Sequence, residues 1–564
     1  MNETIFGSLF TPEKQLAYLK AQTAGVRHLN QLDPLAPTAV ATPLLTVTTT
    51  LPQRIERVEC VLLEPETAVI PLERTAIAWD ILNWAYRATW QGRLPAQPDG
   101  TLVRYQIRAI PADGGAPILA DDGATFAYLV GEWPAPQWAR EAIIYQVFPD
   151  RFNPGNGRVW NNVHHLSDIY GGTLRGIIEK LDYIADLGFN VIWLNPFFPD
   201  LTHHGYHASD HFSVNPRLGS IADMEELIAG VHERGIRLLL DLVANHVGST
   251  HPYFQDALAR QDSPYHDWFC WRSWPDDYVA YYEVKELPEL NTENTAVRDY
   301  MFRSVRFWLE KGFDGLRIDY TLGPSHDFWT ALRAAVQPLK PEAWLFGETV
   351  HTPETQMGYD GRFHGNLDFL LAQKLRDTFA FNTMNVAEFD AFLHLHEAYF
   401  PPRVSRPSFL DNHDMNRFLF IADGDTRKLK LAALCQFTLP QPPVVYNGTE
   451  VGLSQHRAIG DPDSHGMEEC RLPMPWDDTQ NADLRDYFRQ LAHLRRQHPV
   501  IWQGQRHTLH ADATAYAYAI SDGAETLLVA LNLSDAPQTI HLPAPYAHTF
   551  HLPPWGGDWC IVNK

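Results

Sequence analysis

The residues in this chain best equipped for chemistry are carboxylates that close apolar runs. GFDGLRIDYT, residues 312–321, reads as a short buried strand with Leu316, Ile318 and Tyr320 on one face and Arg317 and Asp319 on the other. A carboxylate two residues after an arginine is placed to be held ionised by it, because an opposite charge within hydrogen-bonding reach lowers a carboxyl pKa. Taken alone, such a pair is more often a structural ion pair than a nucleophile. Three further apolar runs end in the same way: IRLLLDLVANH brings Asp241, Asn245 and His246, WLFGET brings Glu348, and SFLDNHD brings Asn412, His413 and Asp414. Crowded carboxylates separate in pKa, one staying ionised while another keeps a proton at neutral pH. Retaining cleavage of a glycosidic bond needs that division, with a nucleophile about 5–5.5 Å from a general acid.

These groups need a frame that brings them together. AIIYQVFP (from 142), VIWLNPF (191), IRLLLDLVANH (236), GLRIDY (315), WLFGET (344), SFLDNHD (408) and PVVYNGTE (443) are continuous apolar runs, as expected of strands buried on both faces. Helical stretches such as LRGIIEKLDYIADLG, MEELIAGVHERG and VRDYMFRSVRFWLEKG lie between them. With an eighth strand near NLDFLLAQ (366–373), the pattern predicts an α/β fold, a (β/α)₈ TIM barrel with a short insert (247–296) after strand three. The carboxylates then stand at the mouths of strands four, five and seven, the C-terminal end where barrel enzymes keep their active sites. A purely structural account would need several unrelated buried charges at one end, each costly unless paired.

Both flanks alternate in the manner of β-structure. Residues 11–31 carry a helix-like start at Thr11-Pro12, and LLTVTTT, RVECVLLE and LVRYQIRAI follow. This predicts an N-terminal β-sandwich over 1–134, the catalytic barrel over 135–497, and a C-terminal β-sandwich over 498–564. A net charge of −23, from 45 basic and 68 acidic residues, argues against a nucleic-acid or anionic-membrane partner. Five scattered cysteines without CxxC spacing fit reduced thiols better than a disulfide framework or a zinc site. MNETIFGSLFTPEKQ lacks a basic region followed by an apolar run, and no stretch reaches the roughly 18 apolar residues of a membrane helix. The expectation is a cytoplasmic protein.

Together and in order, these motifs resemble those of the α-amylase family of glycoside hydrolases, over nearly the whole chain. DLVANH is similar to its DxxxNH motif, GFDGLRID to its GxRxD motif, GET to its acid/base motif and FLDNHD to its NHD motif. LPELN, HGYHASDHF, PPVVYNGTE and RLPMPW resemble further family segments. The resemblance implies Asp319 as nucleophile, Glu348 as general acid/base and Asp414 as the group that grips sugar hydroxyls and stabilises the oxocarbenium-like state. It implies that Arg317 orients Asp319, that His246 and His413 bond hydroxyls, and that Tyr206 stacks beneath the sugar. AIIYQVFPDRF, SHDFW and GETVH look most like the neopullulanase, cyclomaltodextrinase and maltogenic amylase branch. Members of that branch cleave cyclodextrins, maltodextrins and pullulan, are often cytoplasmic and often form homodimers through the N-terminal domain. The implied activity is cleavage of α-1,4 bonds, extending to α-1,6 bonds, in maltodextrins, cyclodextrins or starch through a covalent glucosyl-enzyme. The chain departs from the branch at YTLG (320–323), where VANE is usual, on the acceptor side of the cleft. A transglycosylase or isomerase (trehalose-forming, or a 4-α-glucanotransferase) and a non-catalytic α-glucan-binding protein remain the alternatives.

No cofactor is required by this reading. RFNPGNGRVWNN sits where many relatives bind calcium, but Asn153, Asn156, Asn161 and Asn162 offer amides where calcium prefers carboxylates; a structural calcium ion stays an alternative. His203, His204, His207 and His211 lack an HExxH partner pattern, so no metal ligand is assigned. Trp268, Trp271 and Trp274 suit either a sugar platform or the core of the insert. The expected partner is an α-glucan, with neither nucleic acid nor membrane.

Overall fold

Eight short parallel strands form the centre of the structure, a computed structural model that describes residues 11–563. They are β1 (Ile144–Val147), β2 (Val191–Leu194), β3 (Arg237–Leu242), β4 (Gly315–Ile318), β5 (Trp344–Gly347), β6 (Gly365–Asn366), β7 (Ser408–Phe409) and β8 (Pro443–Tyr446). Pairing runs in chain order from β1 to β6, while β8 pairs with both β1 and β7. The gap between β6 and β7 is closed by a bridge from Gly365 to Ser405 and by the Ser405 N–H donating to His364 O at 2.7 Å. A Cβ on Gly365 would lie 1.6 Å from the Ser405 carbonyl oxygen, so only glycine allows this closure. The predicted eighth strand is therefore present but shorter than read: after Asn366 the chain turns into the helix Phe369–Leu375, capped by Asp368. Its apolar run could not be told from a buried helix by periodicity alone.

Alternate strand residues face opposite ways. Ile144, Val191, Trp193, Leu239, Trp344, Phe346 and Val444 fill the barrel interior. Tyr145, Ile192, Leu240, Leu316, Ile318 and Val445 pack outward against the helices. Gly315 makes room for Trp344, whose carbonyl oxygen would stand 2.1 Å from an added Cβ. The helices begin where the sequence signals a cap. Ser220 and Asp223 form a capping box for Ile221–Glu233, Asn294 caps Thr295–Lys311 and Ser325 caps His326–Leu339. LRGIIEKLDYIADLG forms two helices, Leu174–Glu179 and Leu181–Asp186, broken at Lys180.

Nine strands between Gly25 and Leu129 make one antiparallel N-terminal sheet, and Gln505–Asn563 contributes a four-stranded sheet and a separate hairpin. The helix read over 11–31 spans only Pro12–Ala21, with Thr11 as its cap; Gly25–Arg27 already pairs as a strand with Thr48–Thr50. That helix buries none of its side chains. Residues 1–10, on which the reading of the leading segment falls, lie outside the described residues. Among the described residues no helix is long and apolar enough to cross a membrane.

Candidate active site

Register decides which groups meet. Asp241 on β3 is the direct neighbour of Arg317 on β4, so carboxylate and guanidinium share one layer of the barrel. Past the end of β4 the ladder continues by one residue on each side, with the Asp319 N–H donating to Leu242 O (3.0 Å) and the Glu348 N–H donating to Ile318 O (2.8 Å). Both carboxylates are thus mounted on rigid strand ends.

Arg317 is fully buried and serves three acids. Nη1 donates to Asp241 Oδ1 at 2.6 Å and to Asp319 Oδ1 at 2.9 Å, while Nη2 lies 2.8 Å from Glu348 Oε2. Its guanidinium carbon stands 4.9 Å from the centre of the Trp193 ring. One cation faces three carboxylates, so each is only partly compensated. Burial pushes Asp319 well above the ordinary aspartate value; Arg317 opposes this, and Glu348 and Asp241 reinforce it. The expectation that Arg317 holds Asp319 low is therefore corrected, because desolvation of a buried carboxylate outweighs half-shared pairing. Burial raises Glu348 as well, against Arg317.

Asp414 is treated differently. Burial alone would raise it, but the neighbouring cation Arg471 helps to reverse the effect and hold it below the ordinary value. Arg471 Nη2 lies 2.8 Å from Asp414 Oδ1, and Arg471 Nε donates to the His413 carbonyl oxygen at 2.7 Å. Glu468 Oε1 anchors the other side of Arg471 at 3.0 Å. Arg471 was not among the residues singled out from the sequence; it opens RLPMPW, 57 residues from Asp414, and no local pattern joins the two.

The remaining site residues are linked. His413 Nδ1 is 2.8 Å from Gln146 Nε2 and its Nε2 is 2.6 Å from Tyr206 Oη, whose proton goes to Asp241 Oδ2 at 3.0 Å. The Tyr206 and His413 rings lie parallel, 6° apart in orientation. Burial depresses both histidines, His246 and His413, to about 3, so both are neutral. His246 is 1 % exposed and its Nε2 has no hydrogen-bond partner among the described residues. The structure thus brings Tyr206, His246, Arg317, Asp319, Glu348, His413 and Asp414 to one mouth. Asp241 and Asn245 brace it: Asp241 takes hydrogen bonds from Arg317, Trp193 and Tyr206.

YTLG acquires a physical reason. Tyr320 adopts a left-handed φ of 37° and packs edge-on against Tyr281 of the insert at 4.7 Å; Tyr281 in turn stacks on His246. A Cβ on Gly323 would lie 1.8 Å from Asn245 Oδ1. The tryptophans of the insert pack inward: Trp268 is buried, Trp271 stacks on His266, and Trp274 Nε1 donates to Ala257 O at 3.0 Å.

In the loop 153–162, one backbone oxygen is already taken by two side chains of the protein. Arg158 Nη2 donates to Pro154 O at 2.6 Å, where Thr173 Oγ1 also donates at 2.8 Å. The amide nitrogens of Asn153 and Asn161 point at Gly176 O and Ile169 O, and Asp150 accepts from the Tyr170 and Gly171 N–H groups. Calcium prefers carboxylate oxygens, and the loop 153–162 carries no Asp or Glu of its own. The four histidines of HHGYHASDH also diverge: His203 pairs with Glu468, while His211 meets Tyr300. Among the described residues no three His, Cys, Asp or Glu side chains gather as a metal site.

Carboxylates paired with arginines at the C-terminal mouth of an eight-stranded barrel are equipment for acid–base and nucleophilic attack on an acetal. Comparison with known proteins agrees. The alpha amylase catalytic domain profile matches residues 146–519. Alpha-amylase 2 of Dictyoglomus thermophilum is 36% identical over 423 residues, 75% of this chain and 74% of that protein. A cyclomaltodextrinase of Geobacillus thermopakistaniensis is 34% identical over 440 residues, 74% of this chain and 73% of that protein. The solved type III pullulan hydrolase from Thermococcus kodakarensis superimposes with a TM-score of 0.70 at 26% identity, over 96% of this chain and 100% of that one. The chain belongs to the alpha-amylase family of glycoside hydrolases.

Proposed function

We propose that this enzyme cleaves α-1,4 bonds, extending to α-1,6 bonds, in maltodextrins, cyclodextrins or starch, with retention of configuration. The observation that carries the reading is the single guanidinium of Arg317 touching both Asp319 and Glu348, which keeps the two carboxyl groups close. Asp319 attacks the anomeric carbon as the glycosidic C–O bond breaks, and Glu348 gives its proton to the departing oxygen. Water then attacks the glucosyl ester, with Glu348 taking the proton back. Asp414, ionised beside Arg471, stabilises the positive charge that develops on the sugar. Neutral His246 hydrogen-bonds a hydroxyl, while His413, its two ring nitrogens engaged by Gln146 and Tyr206, holds Tyr206 beneath the sugar.

Side-by-side product analysis on β-cyclodextrin, soluble starch, pullulan and maltotriose tests this, with NMR following the first anomer released. Rapid opening of cyclodextrin to α-anomers is expected; β-anomers first would overturn retention. New, longer chains in place of glucose from maltose would favour the transglycosylase.

Three further points belong to this reading. Calcium is not needed, because Arg158 supplies the positive charge in its loop. The protein pairs with a second copy through the N-terminal sheet, where Ile77, Trp79, Trp84 and Tyr86 stand exposed on one two-stranded ribbon. It resides in the cytoplasm, a reading supported by five unpaired cysteines; cell fractionation that finds it outside would refute that.

A further inference from the structure

Of the histidines in HHGYHASDH, His203 ends a line of polar contacts that begins at the carboxylate mouth. Asp414 Oδ1 lies 2.8 Å from Arg471 Nη2, Arg471 Nη1 donates to Glu468 Oε1 at 3.0 Å, and Glu468 Oε2 lies 2.7 Å from His203 Nε2. His203 belongs to the loop after β2, whereas Glu468 sits on the short helix Gly466–Cys470 beyond β8. Two barrel loops therefore meet behind Asp414. Side-chain exposure is 31% at Asp414 against 7, 15 and 3% at Arg471, Glu468 and His203, so Asp414 is the end of the line that is open to a ligand.

All three nitrogens of Arg471 are engaged, with Nε donating to the His413 carbonyl oxygen at 2.7 Å. A guanidinium left free to do so grips a carboxylate through two parallel N–H···O bonds. By taking Nη1, Glu468 restricts Arg471 to one oxygen of Asp414. The other, Oδ2, stands 3.2 Å from His413 Nε2. That ring has a single proton to give: Nδ1 accepts from the Gln146 amide at 2.8 Å, and the Nε2 proton goes to Tyr206 Oη at 2.6 Å. Asp414 thus keeps one oxygen free of a committed donor. Glu468 is held in turn. Burial would raise its carboxyl, but its partners keep it below the ordinary value and ionised. Its Oε2 accepts no hydrogen bond from elsewhere among the described residues, and Arg151 Nη2 is 3.8 Å away, which leaves His203 as the nearest support. The His203 nitrogen carries the ring proton, because a bare nitrogen would repel a carboxylate at that distance.

We propose that Glu468, braced by His203, is a positioning residue that confines Arg471 to one oxygen of Asp414 and leaves the other for a substrate hydroxyl. The substrate's part in this rests on the proposed function. Without Glu468 the Arg471 fork closes on both oxygens, and Asp414 is paired with protein instead of sugar. His203 acts only through Glu468 and Arg471. Asp414 also faces Arg317, Asp319 and Glu348, neutral His413, and the hydroxyls of Tyr206 and Tyr281. Replacing Glu468 or His203 alters none of these groups, so a change in the pH profile reports on Arg471.

Kinetics on maltotriose across pH test this, with Glu468→Ala, His203→Ala and Arg471→Gln alone and combined. Glu468→Ala should lower kcat/KM about tenfold without moving the acid limb upward, since Asp414 stays paired; Arg471→Gln, which removes the cation, should move it upward. His203→Ala should give a smaller loss of the same kind, and His203→Gln, which keeps an N–H donor, should restore it. In the Arg471→Gln background, adding Glu468→Ala should cost no more than about twofold. A crystal structure of the Glu468→Ala enzyme should show both Nη1 and Nη2 of Arg471 on Asp414. Fully additive losses, an upward limb in Glu468→Ala, or an Arg471 that still meets one Asp414 oxygen would overturn the proposal. A native enzyme that leaves maltotriose intact would refute the proposed function instead, and the Arg471 geometry in that crystal would still decide the role of Glu468.

Discussion

Arg471 Nη2 stands 2.8 Å from Asp414 Oδ1, and this one ion pair sets Asp414 apart from the other acids of the mouth. Asp319 and Glu348 share Arg317 with Asp241, whereas Asp414 is served by a second cation, which it shares with Glu468. Arg471→Gln should therefore lower kcat/KM by about 10–100-fold, the worth of one charge-assisted hydrogen bond. It should also move the acid limb of the kcat profile upward as Asp414 loses its counter-charge. Arg471→Lys should restore part of both. A purely structural role would lower the melting temperature without moving the limb.

Asp319→Asn and Glu348→Gln should each reduce turnover on the order of 10⁴-fold or more. The Asp319 carboxyl has a folded pKa above its unfolded value, so its ionised form costs stability once pH exceeds the ordinary aspartate range. The Asp319→Asn enzyme should accordingly melt no lower than the native enzyme at pH 7. Any advantage should vanish at acid pH, where the carboxyl is protonated in both states. Near-native turnover, or a lower melting temperature at pH 7, would count against the assignment.

Burial raises both Asp319 and Glu348. Asp319 must be ionised and Glu348 protonated, so the bell of kcat/KM against pH should sit closer to neutrality than two ordinary carboxyls would place it. An acid limb at or below the ordinary aspartate pKa of about 3.9 would contradict this.

Arg158 already donates to the Pro154 carbonyl oxygen of its loop. A chelator should leave activity and melting temperature unchanged, while Arg158→Ala should lower the melting temperature and calcium should not rescue it. A fall in both on chelation of the native enzyme would restore the ion site.

Trp79 contacts both Trp84 and Tyr86 edge-on, with Trp84 and Tyr86 more than 70% exposed. Light scattering should give twice the 64.2 kDa chain mass, and a Trp79→Ser, Trp84→Ser double variant should return it to one. A native monomer would refute pairing.

The strands and the carboxylates at their ends were legible because both are local. A parallel barrel strand is buried on both faces and leaves a continuous apolar run, and the functional groups follow directly at its end, as in LLLDLVANH and GLRID. Strand six was legible only in part, since its two residues gain their place from a bridge to Ser405 and leave no run of their own.

The sequence by itself determined which side chains stand at the mouth and on which strand ends, because a period of two and the strand order oblige Asp241, Arg317, Asp319 and Glu348 to share one rim. The tertiary structure alone decided their charges. Whether a carboxyl is high or low depends on burial and on which cation lies beside it. Those partners come from afar: Arg317 is divided among three acids, and Arg471 reaches Asp414 from a distant loop. Electrostatic energy follows distance in space and local dielectric, neither of which is written in residue order.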